Sequence, residues 1–139
     1  MKTAEDRLAQ WVARGESETQ EFKATTGQRG EAAKAVCAML NHKGGRVIFG
    51  VAAKGQIAGQ EVTDKTVDDV AAYLRMIEPP AFPAVERIPV DNGREAIAVS
   101  VDRGSRRPYT FQGKGYRRVG TTNVEMSRDD YNRMLFDEL

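Results

Sequence analysis

Apolar side chains recur at three- and four-residue intervals in four segments of this chain, which predicts four amphipathic helices. Three of them start at a hydroxyl residue that can cap the first turn, and three end at glycine or proline. The predicted starts are Thr3, Glu31, Thr66 and Ser127, and the predicted ends of the first three helices are Gly15, Gly44 and Pro79. Ile77 is assigned to the apolar face of the third helix.

Strand patterns lie between these helices. The predicted strands span residues 19–23, 46–51, 57–59, 85–90, 95–101 and 116–119. Asp91-Asn92-Gly93 separates two of them and is a strong hairpin signal. The order of elements predicts an α+β fold, in which residues 1–139 form a single domain with a mixed β-sheet flanked by about four helices.

Composition narrows the class of protein without indicating a partner. Lys and Arg number 21 against 20 Asp and Glu, so the net charge predicts no ligand. The single cysteine, Cys37, lies among apolar residues and excludes an internal disulfide or a Cys-based zinc site. No apolar run is long enough to span a membrane. The first residues include Glu5 and Asp6 and do not form a signal peptide, so the chain is expected to be cytoplasmic.

The local charge distribution is more informative than the net charge. Residues 103–118 contain six basic side chains and no carboxylate, which is typical of a phosphate-binding face, although a solvated loop has the same composition. Tyr109, Phe111 and Tyr116 lie in this segment, where each either stacks on a base or belongs to the core. Strand alternation places Arg117 and Arg118 on opposite faces, so at least one of the two should face solvent.

Glu16, Glu21 and Lys23 form a second candidate site. Carboxylates beside a lysine can hold a divalent cation and cut a phosphodiester, but the same residues also suit a surface ion pair on an edge strand. The glycine pair Gly44-Gly45 lacks the spacing of a nucleotide-binding loop and follows a helix C-terminus, the wrong end of the helix dipole for a phosphate.

Four motifs in this order resemble the Schlafen AlbA_2 family. They are the acidic opening Glu16-x4-Glu21-Phe22-Lys23, the helix, Asn-x-x-Gly-Gly turn and Gly-Val strand of residues 40–51, the hairpin of residues 54–59, and the Pro-Tyr and Tyr-x-Arg-x-Gly elements of residues 107–109 and 116–122. The resemblance covers roughly residues 8–135. It implies an α+β domain that binds nucleic acid.

The resemblance also implies how a nuclease in this family would work. Members with endoribonuclease activity use three acidic residues, two of which correspond to Glu16 and Glu21, with Lys23 beside them. The third belongs just after the Gly-Val strand, where this chain has Ala52-Ala53. A hard divalent cation that loses an oxygen ligand is bound weakly. No metal site and no cofactor are therefore expected. The alternative is an endoribonuclease dependent on Mn²⁺ or Mg²⁺ that retains catalysis through Glu16, Glu21 and Lys23.

The sequence thus predicts a regulatory module that binds RNA or DNA, without catalysis. A second alternative is a protein–protein interaction or dimerisation domain, and a homodimer is compatible with either. The residues predicted to contact nucleic acid are Lys23, Lys43, Arg46, Arg106, Arg107, Tyr109, Lys114, Arg117 and Arg118.

Overall fold

The computed structural model describes residues 2–139 and contains four α-helices and eight strands. The helices are α1 (Ala4–Arg14), α2 (Arg29–Leu40), α3 (Asp64–Leu74) and α4 (Arg128–Asp137). The strands are β1 (Gln20–Lys23), β2 (Gly44–Phe49), β3 (Ile77–Glu78), β4 (Ala84–Pro89), β5 (Glu95–Asp102), β6 (Thr110–Phe111), β7 (Lys114–Val119) and β8 (Thr122–Glu125). The predicted α+β class is confirmed.

The strands form two sheets of four strands each. The first has the order β1-β2-β5-β4, with β1 parallel to β2 and the other pairs antiparallel, so it is the predicted mixed sheet. The second has the order β3-β6-β7-β8 and is antiparallel throughout. This second sheet was not predicted as a separate unit, because β3 and β6 have only two residues each and carry no measurable period.

Helix α2 forms the centre of the core. Its buried side chains belong to one cluster with Val47 and Val99 of the first sheet and with Phe111 and Tyr116 of the second. Because α2 is covered on both sides, its sequence is apolar almost all round. Burial raises the pKa of the Cys37 thiol on this helix to about 12, so the thiol is protonated at neutral pH.

Helix α1 covers the opposite face of the first sheet. Leu8 and Val12 pack in a second cluster with Phe22, Ile48 and Ala98. The predicted cap at Thr3 is part of a capping box, since the Thr3 side chain accepts a hydrogen bond from the backbone N–H of Asp6 and the Asp6 side chain accepts one from the backbone N–H of Thr3.

Several predicted helix boundaries were wrong. Helix α2 begins two residues before Glu31. Thr63, not Thr66, caps α3, and Thr66 instead completes the capping box from the third position of the helix. Ile77 belongs to β3 rather than to α3.

The prediction that Gly44 ends α2 was also wrong. The helix ends at Leu40 with Asn41 as its C-cap, and Gly44 is the first residue of β2 with φ of +80°. A Cβ atom at Gly44 would lie 2.6 Å from the carbonyl oxygen of Val101. The glycine is therefore required by the close approach of β2 to β5. The predicted strand at residues 57–59 is reduced to a single bridge between Val51 and Ile57.

Asn41 joins the end of α2 to the second sheet. Its side-chain N–H₂ donates to the carbonyl oxygens of Tyr109 (3.0 Å) and Tyr116 (2.8 Å), and its Oδ1 accepts from the N–H of Tyr109. The asparagine of the Asn-x-x-Gly-Gly turn is thus a buried structural residue. Within residues 2–139, none of the helices has the length and apolarity required to cross a bilayer.

Candidate functional site

A groove of about 860 Å³ opens at one end of the first sheet. The starts of β2 and β4 and the end of β5 meet there, because Arg46 and Ala84 both pair with Ser100 of β5. One wall is formed by residues 80–84, which lead into β4, and another by residues 103–106, which follow β5. Arg14, from the end of α1, also lines the groove.

The groove is strongly basic although the chain is nearly neutral. Its lining includes five cationic side chains and a single carboxylate, that of Asp102. The five are Arg14, Lys43, Arg46, Arg103 and Arg106. A concave surface lined by one sign of charge concentrates its field and attracts ligands of the opposite sign. The groove is therefore suited to a polyanion.

Two of these cations are held by contacts outside the groove. The guanidinium of Arg46 lies 3.7 Å from the centroid of the Trp11 ring, and burial together with the nearby charge of Arg14 lowers the pKa of Arg46. The ammonium of Lys43 lies 2.9 Å from Glu18, whose other oxygen contacts His42 at 2.9 Å. Hydrogen bonds from Lys43 and His42 lower the pKa of Glu18 to about 2.

The loop that carries Arg103 and Arg106 is anchored by backbone contacts. The N–H of Gly104 donates to the carbonyl oxygen of Leu40 at 2.8 Å, and the N–H of Arg106 donates to the hydroxyl of Tyr109 at 3.2 Å. A Cβ atom at Gly104 would lie 2.1 Å from the Tyr109 ring. The loop is therefore fixed against the core while both guanidinium groups remain exposed.

Glu16, Glu21 and Lys23 come together as predicted, in a smaller cleft of about 350 Å³. Glu16 accepts a hydrogen bond from the N–H of Phe22 at 3.1 Å. Glu21 is buried, and the ammonium of Lys23 lies 3.0 Å from its Oε2. The cleft is lined by residues other than those of the basic groove.

Arg118 has a different environment from the one predicted. Its side chain is 0% exposed and forms an ion pair with Glu21 across the two sheets. The guanidinium also donates to Asn123 Oδ1 and to the carbonyl oxygens of Ser17 and Gln20. The prediction that Arg118 contacts a phosphate is therefore corrected, because every direction of approach is already filled by the protein.

Two further predicted contacts are also corrected. Tyr109 is 4% exposed and belongs to the core, where its ring cannot stack on a base. The side chain of Arg107 is 9% exposed and pairs with Glu138. Tyr109 thus faces the core, whereas Arg107 lies against the C-terminal end of α4.

Lys114 and Arg117 are exposed on β7, and Arg117 is the one of the two adjacent arginines that faces solvent, but neither lines the basic groove. Each has a carboxylate 3.8 Å away, Glu125 and Asp130 respectively. Of the residues predicted to contact nucleic acid, the groove brings together Lys43, Arg46 and Arg106.

Sequence reasoning missed three residues of the groove. Arg14 was treated only as part of a helix, and Arg103 was counted in the basic segment but not assigned to the site. Phe82 was overlooked because Pro79 and Pro80 were taken only as a helix stop. An aromatic residue between prolines, outside any apolar period, was the available signal that it is exposed.

The acidic cleft does not fit the divalent cation that the family resemblance implies. Glu21 Oε1 receives hydrogen bonds from Arg118 and Asn123, and Lys23 lies at the other oxygen. Fixed cations thus already compensate this carboxylate. Residues 2–139 contain no group of three or more His, Cys, Asp or Glu side chains that could hold a metal ion.

Comparison with known proteins identifies one family and several solved structures with a similar fold, two of which are described below. The family model described as Schlafen, AlbA_2 matches residues 16–127. No curated protein is significantly similar to this chain. The crystal structure of the DIP2311 protein from Corynebacterium diphtheriae matches with a TM-score of 0.61 and 20% identity, over 84% of this chain and 23% of that chain.

The second solved structure is the solution structure of the N-terminal domain of a "Putative ATP-dependent DNA Helicase RecG-related Protein" from Nitrosomonas europaea. It matches with a TM-score of 0.60 and 21% identity, over 91% of this chain and 95% of that chain. At 20% and 21% sequence identity, these two matches show a similar fold and no more. This chain spans 23% of the length of the Corynebacterium protein, so it corresponds to one part of that molecule.

Proposed function

Because this chain belongs to the Schlafen AlbA_2 family, whose model matches residues 16–127, we propose that it is a nucleic-acid-binding module. The observation that carries the proposal is the basic groove, in which five cations face one carboxylate. The phosphate backbone of a nucleic acid is a polyanion that such a groove fits. Contacts with its phosphates supply most of the sequence-independent affinity of proteins for nucleic acid. RNA and DNA are both candidate ligands.

The salt dependence of binding tests this proposal. In the Arg103→Ala/Arg106→Ala variant, two phosphate contacts are removed from an anchored loop. The slope of log K against log salt is expected to flatten by about 0.7 to 0.9 for each lost contact. Fluorescence anisotropy with labelled RNA and DNA over a salt series measures the slope.

A matched control is the Arg75→Ala/Arg128→Ala variant, which removes the same charge from exposed positions outside the groove. Its slope is expected to stay close to that of the unmodified protein. If the two variants bind alike, the groove is not the interface. If the unmodified protein binds no nucleic acid at any salt concentration, the proposal fails and a protein-interaction domain becomes the better hypothesis.

We propose further that the module does not cleave its ligand. Arg118 and Lys23 compensate Glu21, so this carboxylate is not free to bind a divalent cation. Labelled RNA incubated with Mn²⁺ or Mg²⁺ is expected to stay intact. Metal-dependent cleavage that is lost in the Glu16→Ala/Glu21→Ala variant would instead establish the endoribonuclease alternative.

A further inference from the structure

Phe82 is the most exposed of the large apolar side chains in the described part of the chain, at 93%, and it lies on the wall of the basic groove. A single exposed apolar residue is common on protein surfaces. This one differs in its position, since the same groove is lined by five cationic side chains.

The backbone around Phe82 is restricted. Pro79, Pro80 and Pro83 surround it in the short connection between β3 and β4. Proline fixes φ, so the segment has few alternative conformations in which the ring could turn inward. The backbone that carries the phenyl ring therefore has less conformational entropy to lose on binding than an unrestricted loop would have.

The other aromatic rings at this end of the molecule are already engaged. Tyr109 lines the groove but is buried, and its hydroxyl accepts the N–H of Arg106. The guanidinium of Arg46 covers one face of Trp11. Among the residues that line the groove, Phe82 is thus the one with an accessible aromatic face.

We propose that Phe82 stacks on an unpaired base of a single strand whose phosphates lie in the groove. The inference rests on the proposed function and assigns its ligand class, single-stranded nucleic acid. A cationic groove with an exposed aromatic ring is the arrangement by which proteins hold single strands without reading their sequence. In a duplex the bases stack on each other, so the interior base pairs offer no free face to Phe82.

The test compares Phe82→Ala, Phe82→Leu and Phe82→Trp in binding to oligothymidylate of about 15 nucleotides. Phe82→Ala is expected to weaken binding about fivefold to a hundredfold. Phe82→Leu should also lose affinity because it keeps apolar area but has no π face, and Phe82→Trp should retain affinity. The salt slope should stay unchanged in all three, since no phosphate contact is removed.

Two ligand controls separate stacking from charge. A duplex of the same length and a single strand with abasic sites keep the phosphates but offer no unpaired base. Phe82→Ala should leave their binding unchanged. Because Phe82 is exposed, the variants are expected to fold, and thermal unfolding verifies this.

The outcomes distinguish this inference from the proposed function. If oligothymidylate binds with a salt slope that depends on Arg103 and Arg106, but Phe82→Ala binds equally well, the stacking inference is overturned and the groove proposal stands. Tighter binding to the duplex than to the single strand also overturns it. If neither the single strand nor the duplex binds at any salt concentration, the proposed function itself is overturned.

Discussion

At the scale of single residues, Arg117 and Arg118 are adjacent in sequence and have opposite roles. Arg117 is half exposed beside Asp130, whereas Arg118 is enclosed between the sheets and paired with Glu21. A buried ion pair contributes little net stability compared with apolar residues, but removing one partner leaves an uncompensated charge in the interior. The two arginines are therefore expected to respond very differently to the same substitution.

Arg118→Met is expected to lower the free energy of unfolding by about 3–5 kcal/mol, because the buried Glu21 then keeps only Lys23 as a cationic partner. Arg117→Met, on the same strand, should change it by no more than about 0.5 kcal/mol. The double variant Glu21→Gln/Arg118→Met should recover part of the loss, since the buried carboxylate charge is removed together with its main partner and only the partly exposed Lys23 is left unpaired. Urea denaturation measures all three, and equal effects of the two single variants would contradict the assignment.

The sequence predicted that the two arginines lie on opposite faces of a strand, since alternation is a local property. It did not predict which of them is buried. Glu21, which decides this, lies 97 positions away from Arg118, and no local pattern reports such a partner. Glu16, Glu21 and Lys23 line one cleft, which their positions within one short segment made predictable.

At the scale of elements, local chemistry predicted which helices and strands exist better than it predicted the residues at which they begin and end. The capped helix α1, the hairpin around Asn92 and the capped helix α4 were predicted from residues within one turn of each other. The split into two sheets was not, because it depends on the pairing of short strands that are distant in sequence. The basic groove was likewise not predicted as a unit, because it is assembled from four separate segments of the chain.

Gly44 and Gly113 provide a comparison at this scale. Both have positive φ, +80° and +81°, but a Cβ atom meets the β5 backbone at 2.6 Å in Gly44 and nothing within 4 Å in Gly113. Gly113→Ala is expected to cost only backbone strain, about 1–2 kcal/mol. Gly44→Ala should cost about 1–3 kcal/mol more, because β5 must move. Chemical denaturation of the two variants checks this, and similar losses would show that β5 yields freely.

At the scale of the whole molecule, the distribution of charge matters more than its sum. The formal net charge is +1, yet the cations at one end of the first sheet outnumber the carboxylates that line the groove by five to one. Residues 103–118 are contiguous in sequence but separate in the fold: Arg103 and Arg106 line the groove, and Arg118 is buried. A count of basic residues along the chain therefore predicted a basic surface but only some of the residues that line it.

Glu18 is expected to weaken binding of nucleic acid by competing with phosphate for Lys43. Its pKa is lowered to about 2, so the carboxylate stays ionised above roughly pH 3 and its charge does not change from pH 5 to 8. Glu18→Gln should tighten binding at low salt and steepen the salt slope by about one contact, 0.7 to 0.9, at every pH in that range.

Glu61→Gln is the matched control, since Glu61 is an exposed carboxylate outside the groove. Anisotropy titrations at several pH values compare the two variants. A gain in affinity of equal size in both would mean that only the net charge matters, and it would contradict a specific effect through Lys43.

The pairing of Glu21 with Arg118 also bears on the order in which the chain folds. Because 97 positions separate the partners, the contact can form only after a large loop has closed, and such contacts slow folding. Before β7 docks, burial of β1 would leave Glu21 with Lys23 as its one cationic partner and without the hydrogen bonds from Arg118 and Asn123. Neither sheet can therefore reach its final packing ahead of the other, and we expect the domain to fold in one cooperative step rather than outward from its N-terminal half.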